Sequence, residues 1–387
     1  MQEPEFPSEP SAATVPPRLD LPPRFHVPPA PRGGSAWRWV AVVLGLGLAA
    51  SLGANLLLSA GKLAHAVGKG GHGRHGDAAL QEVVIEDNGS KDKVVVVDID
   101  GVISGEAERG GGPGMVDSIR DQLDRAADDD QVKAVVLRVD SPGGEVLASD
   151  EIYRAISAFQ TNHDIPVIAS MGSVAASGGY YVSAPCRWIV ANELTITGSI
   201  GVIFHTYNYR GLMDKIGVVP SVVKSGKLKD MLSPDKRPED ELPEERAILK
   251  DMIDESYAKF RSIIVAGRSW AARQNAEDKI EDGRKLQPGW IEHADGRILS
   301  GTKALELGLV DELGDFDTAV DRAMGLAGLE KANLVSYQAP IHFSDLFRWF
   351  GKTDARAQDI RVDLGGFGLQ PRLPQGRLYF ISPVHVH

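Results

Sequence analysis

Apolar residues gather in short unbroken runs through the middle of the chain: "VVVVDID" at 94–100, "VKAVVLRV" at 132–139 and "PVIASM" at 166–171. Continuous rather than alternating runs mark strands buried on both faces. Between them the apolar spacing becomes helical, predicting helices over 115–127 and 146–159. Alternating strands and helices predict parallel βαβ units with right-handed crossovers, an α/β fold. Further on, a long amphipathic helix is expected from Pro243 to Ala266, broken at Gly267. Residues 302–326 read as helical, with a turn near "LGLVDELGD".

The N-terminal pattern differs. Residues 1–38 form a proline-rich stretch that buries little and reads as a disordered tail. From Trp39 to Ala60 there is no charge over 22 residues, enough to cross a bilayer as a helix, with Trp37 and Trp39 at the interface. A cleaved signal peptide fits less well, because its charged leader would be too long. Residues 61–82 read as a Gly/His-rich linker and folded sequence begins near Val83. After Ala339 the residues 340–387 form a tail without a clear period.

Composition adds little to the fold class: 43% hydrophobic and 25% charged residues are ordinary for globular proteins. The net charge of −11 argues against nucleic acid as a partner, since phosphate binding needs clustered Lys and Arg. Cys186 is the only cysteine, which excludes an intrachain disulfide and a thiolate metal cluster; it reads as a small buried hydrophobe.

Two glycine-containing turns follow successive strands: "DSPGGEV" at 140–146 and "SVAASGGYY" at 173–181. In open α/β sheets ligands sit beyond the carboxyl ends of the strands, so both turns should border one crevice. The backbone N–H groups of Gly143, Gly144 and Gly178, with the Ser177 hydroxyl, resemble an oxyanion hole around a nucleophile. Either turn alone would be an ordinary strand-to-helix connection; the ordered pair favours a functional reading. No dinucleotide-binding or P-loop motif occurs at these turns. Candidate bases for Ser177 are His205, His293, Lys224, Lys227 and Lys229. A lysine would need to be neutral, its pKa lowered by burial, and held by a hydroxyl such as Thr197 or Ser199. Spacing does not choose among them.

The blocks "LRVDSPGGEVLASDEIY", "PVIASMGSVAASGGYYVSA", "TITGSIGVI", "SGKLKDMLSP" and "DGRILSGTKALELGLVDELG" resemble, in this order, the signal peptide peptidase A family of membrane-anchored serine peptidases, family S49. The resemblance covers about residues 90–330 and makes 83–339 the expected catalytic domain. It implies a ClpP/crotonase-like fold and a Ser–Lys dyad. Ser177 corresponds to the nucleophile, Lys229 to the general base and Ser199 to the serine that orients it. Gly144 and Gly178 correspond to the oxyanion donors. No metal or cofactor is implied. One copy of each motif suggests the short form, a ring-shaped homo-oligomer whose dyads join neighbouring subunits. Expected substrates are cleaved signal peptides and other extended hydrophobic peptides. The expected location is the plasma membrane, single-pass, with the catalytic domain outside the cytoplasm.

An acyl-CoA hydratase or isomerase on the same fold is the rival enzyme class, but Ser177 sits where that chemistry needs a carboxylate. A non-catalytic membrane scaffold is the rival outside enzymes. The stretch "RLYFISPVHV" (377–386) is apolar enough to enter a hydrophobic groove of its own or a neighbouring subunit; a short strand or a disordered end are the alternatives.

Overall fold

The computed structural model describes Leu44, residues 80–106 and 113–339, and the segment Leu378–Ile381. The proline-rich stretch and the apolar span 39–60, Leu44 apart, lie outside the described residues, as does most of the tail after 339. Among the described residues no helix is long and apolar enough to cross a membrane.

The chain runs β1 (Gln81–Glu86), β2 (Lys93–Asp100), α1 (Met115–Ala127), β3 (Val132–Ser141), β4 (Gly143–Glu145), α2 (Val146–His163) and β5 (Val167–Ala176). It continues with α3 (Gly178–Ser183), β6 (Trp188–Ala191), β7 (Ile196–Gly198), β8 (Ile203–Phe204), α4 (Arg210–Ile216) and α5 (Pro243–Glu277). Then come β9 (Ile298–Ser300), α6 (Gly301–Glu306), β10 (Glu312–Leu313), α7 (Phe316–Leu326), β11 (Asn333–Gln338) and β12 (Leu378–Ile381).

The main sheet has the order β1-β11-β2-β3-β5-β6-β10. Its central pairs β2–β3, β3–β5 and β5–β6 are parallel, and only β1 at one edge of this path is antiparallel. This is the mixed α/β architecture, with a mainly parallel sheet, that the apolar runs predict. Both faces are covered. Val95, Val97, Val135 and Leu137 pack toward a core shared with α1, α2, α3 and α5, while Val94, Ala134, Val136 and Ile168 pack under α7. Alternate residues of one valine-rich strand thus enter different cores, which is why the runs are continuous.

β5 is longer than its apolar run suggests and is shared between two partners. Ile168–Met171 pair with β6, and Val174–Ala176 pair with β7. Smaller departures from expectation have local causes. The fold starts at Gln81, inside the expected linker, because β1 completes the sheet on β11. The 302–326 segment divides into α6, the short β10 and α7, whose start is fixed by a reciprocal cap between Asp315 and Thr318.

The expected break at Gly267 does not occur: α5 is continuous for 35 residues. Gly267 serves close approach, because a Cβ there would overlap the Ala184 carbonyl at the end of α3. The next residue, Arg268, forms a fully buried ion pair with Asp311. Asp311 also accepts from the backbone N–H of Ile189 at 2.9 Å, tying α5 to β6. Burial pushes the Asp311 carboxyl up, against the pull of Arg268 and of the backbone N–H groups that it accepts.

A second sheet of three strands, β4-β12-β8, stands over the carboxyl ends of β3 and β5. Its middle strand comes from the C-terminal stretch expected to be a separate tail.

Candidate active site

Ser177 follows the last residue of β5 and precedes the first turn of α3. Its backbone has φ 54° and ψ −112°, a conformation that side chains other than glycine seldom adopt. Two hydrogen bonds hold the turn: Ser177 N–H donates to Gly198 O at 2.8 Å, and Tyr181 N–H donates to Ser177 O at 2.8 Å. The residue is 1% exposed, and among the described residues its Oγ has no hydrogen-bond partner. A buried hydroxyl without a partner, on a strained turn, is a feature that fold stability alone does not account for.

The small residues around it have separate roles. A Cβ at Gly178 would come 2.8 Å from Ser149 Oγ and 3.0 Å from Gly144 N. A Cβ at Gly179 would come 2.7 Å from Ser141 O. Gly143 has φ 104°, and a Cβ there would lie 2.7 Å from Gly178 N. The amides of Gly144 and Gly178 therefore border one small space, as the two turns predict. One correction applies: "GGE" is not a bare turn but the strand β4, joined to Ile103, which donates to Gly143 O at 2.9 Å and accepts from Glu145 N–H at 2.8 Å.

Ser199 lies one strand away. β5 and β7 are parallel with Ala176 opposite Gly198, so Ser177 and Ser199 are the next residue on each strand. Ser199 also has positive φ, 49°, and is 4% exposed. Its N–H donates to Arg297 O at 2.7 Å. Thr197, the other hydroxyl considered, donates to Ala175 O at 2.7 Å and is committed to the ladder.

The candidate bases separate by their partners. Lys224 pairs with Asp230 at 2.7 Å and Lys227 with Glu244 at 2.6 Å. Lys229 is exposed, and among the described residues its ammonium has no carboxylate or hydrogen-bond partner. His205 is exposed and tilts against Tyr207, with 5.0 Å between ring centroids. His293 Nδ1 lies 3.2 Å from Gly289 O. Within one chain none of these groups hydrogen-bonds Ser177 Oγ. The segment that precedes Lys229 carries exposed apolar residues, including Val219 at 77% and Val223 at 99% exposure.

The β12 segment completes the surroundings. Tyr379, Phe380 and Ile381 are buried. Phe380 stacks on Tyr181 with 4.8 Å between ring centroids and packs on Phe260 at 4.7 Å. Tyr181 is anchored by donating to Asp150 at 2.8 Å; burial and then that carboxylate push its phenol well above the ordinary range. Cys186 is buried as expected, which raises its thiol far above the usual value and leaves it unreactive.

Sequence comparison places the whole in context. The model for peptidase family S49 matches residues 160–330. A protein of Synechocystis sp., provisionally named as a protease, is 41% identical over 243 residues, which are 62% of this chain and 79% of that one. A protein of Enterococcus faecium, provisionally named signal peptide peptidase SppA, is 34% identical over 267 residues, 68% of this chain and 72% of its own. Protease 4 of Haemophilus influenzae is 34% identical over 65% of this chain, which covers 38% of that longer protein. Among solved structures, a mutant of the membrane-bound stomatin-specific protease 1510-N, in complex with a substrate peptide, is 17% identical over 67% of this chain and 98% of that one, with a TM-score of 0.37. The protein is a serine peptidase. The chain belongs to peptidase family S49, and the hydratase and scaffold alternatives fall away.

Proposed function

We propose that the protein is an endopeptidase with a Ser–Lys dyad in which Ser177 is the nucleophile and Lys229 the general base. The observation that carries this reading is the Ser177 turn: a buried hydroxyl without a partner, in strained backbone, beside the amides of Gly144 and Gly178. Neutral Lys229 takes the Ser177 proton as Oγ attacks a substrate carbonyl. The oxyanion that forms is held by the N–H groups of Gly144 and Gly178. Lys229 then protonates the leaving amine, and water hydrolyses the acyl-enzyme. Ser199, at the end of the paired strand, holds the lysine in place.

Lys229 reaches Ser177 from a neighbouring subunit of a ring-shaped homo-oligomer, on a ClpP/crotonase-like fold. This is supported by the unpartnered, exposed ammonium and by the exposed Val218, Val219, Val222 and Val223 earlier in the same segment, which another subunit would cover. Residues 39–60 anchor the chain in the plasma membrane with the catalytic domain outside the cytoplasm. Substrates are cleaved signal peptides and other extended hydrophobic peptides.

The test compares the full chain in detergent with Ser177→Ala and Lys229→Ala on an apolar fluorogenic peptide, with assembly checked by mass photometry. Loss of about a thousandfold or more in kcat for both variants, each normally assembled, is the expected result. Activity that survives Lys229→Ala would assign the base to another group.

A further inference from the structure

We propose that Lys224 and Lys236 are positioning residues for the base: they hold the Asp230 carboxylate away from Lys229, so that its ammonium has no counter-ion among the described residues. This rests on the reading of Lys229 as general base and adds to it the arrangement that frees the lysine to lose its proton.

Asp230 directly follows Lys229, so an unheld Asp230 is the nearest carboxylate in the chain that the base could take. A carboxylate within about 4–6 Å favours the charged form of an amine, and a charged amine cannot accept a proton. In the structure Asp230 is turned elsewhere. Lys224 Nζ donates to both of its oxygens, each at 2.7 Å, and to Lys227 O at 3.2 Å. All three ammonium hydrogens of Lys224 are thereby used inside the loop. Lys236 closes the other side, 3.7 Å from Asp230 Oδ1. Lys236 is itself held at 2.6 Å by Glu245, in the first turn of α5. Glu245 is fully buried, so this tie is shielded from water.

The backbone of the loop serves the same end. Lys229 N–H donates to Gly226 O at 3.2 Å, and Ser233 N–H to Asp230 O at 3.1 Å. Leu232 has φ 63°, a left-handed conformation that leucine seldom adopts, so the ties on either side hold a shape that local preference does not select. The other charged groups nearby are engaged elsewhere. Arg210 pairs with Asp214 at 2.8 Å, and Arg246 with Glu241 at 2.9 Å. Arg237 lies 3.7 Å from Asp214 and from Glu239, and Asp235 accepts from the Ser233 hydroxyl. Asp240 lines the same cavity as Lys224 and Lys236 and is exposed. Asp230 is 16% exposed in its side chain against 45% for Glu244, the partner of Lys227, so its charge is the less screened of the two. Chiefly through the Lys224 hydrogen bonds, the Asp230 carboxyl lies below the ordinary carboxylate range. It is ionised wherever a lysine base works, and protonation does not remove its charge.

The test follows kcat/KM for an apolar fluorogenic peptide against pH, with the full chain in detergent at low ionic strength and assembly checked by mass photometry. Lys224→Met should move the acid limb upward by about one pH unit, because the base then keeps its proton to higher pH. Lys224→Arg, which can still hold Asp230, should leave the limb in place. So should Lys227→Ala, which removes a cation closer to the base in sequence but leaves Asp230 held. Combining Lys224→Met with Asp230→Asn should return the limb to its wild-type position. No shift in Lys224→Met, or a shift that persists in the double variant, overturns the proposal.

A second readout needs no turnover, which separates this proposal from the identity of the base. In a Ser177→Ala background, brief acetylation with acetic anhydride at a series of pH values, read by mass spectrometry, gives the midpoint at which the Lys229 amine becomes reactive. That midpoint should rise in Lys224→Met and return in the double variant, in the same order as the acid limb. Equal midpoints with and without Lys224→Met would overturn the proposal and leave the dyad standing. Activity that survives Lys229→Ala would instead remove the base assignment and leave the labelling result standing.

Discussion

Around Ser177 every neighbour is fixed: β5 ends on β7, a parallel rung ties Ala176 to Gly198, and three glycines are each pressed against backbone or a buried hydroxyl. Around Lys229 the chain has two residues of strand, a seven-residue helix and turns, and its valines face outward. One half of the proposed dyad is finished by folding. The other half, in the proposed reading, is left for assembly to finish. Burial and strain can be settled within one chain, whereas a neutral lysine needs a dry environment that this segment lacks alone.

The sharpest way to break this comparison is mixing. Ser177→Ala and Lys229→Ala, each inactive alone, should recover a measurable fraction of peptidase activity when co-assembled, because some interfaces then carry both intact groups. No recovery in verified mixed oligomers would put both halves of the dyad in one chain. Next in size is the cradle. Gly144→Ala places a methyl group on the Ile103 carbonyl, and activity should fall about a hundredfold, in line with loss of an oxyanion donor, with a lower melting temperature.

On the rigid side alone, Arg268→Met should destabilise the fold by about 3–5 kcal/mol by leaving Asp311 buried without its partner, read by urea denaturation. A double change to apolar residues at 268 and 311 should cost less. On the exposed side, Val223→Ser should alter unfolding by no more than about 0.5 kcal/mol while weakening assembly, read as a shift in sedimentation with dilution. The smallest effect belongs to Lys227→Ala. Its ion pair with Glu244 is solvent-exposed on both sides, so loss should stay within about 1 kcal/mol and leave kcat unchanged.

The same contrast governs what could be read in the sequence. The central strands were legible because both faces bury valine and isoleucine, and the meeting of the two glycine turns because they follow successive strands. Gly267 misled because local propensity cannot show a carbonyl packed against a helix from 83 residues earlier in the chain. β4 was hidden in a glycine turn, since its pairing depends on Ile103 and on Phe380, more than 200 residues away. The apolar stretch after 377 hinted at a groove, but only the register gave Phe380 its place. Spacing could not show that Lys224 and Lys227 are held by Asp230 and Glu244.

The two serine amides have a further consequence in time. Ser177 N–H and Ser199 N–H both end in ladder-type hydrogen bonds, to Gly198 and Arg297, and both residues are buried. Amides held there exchange with deuterium only when the whole domain opens, whereas those of the Lys229 turn exchange through local fluctuations. Under the proposed assembly, an isotope-exchange experiment should see the amides near Lys229 slow when subunits associate, and those of Ser177 and Ser199 stay as they were.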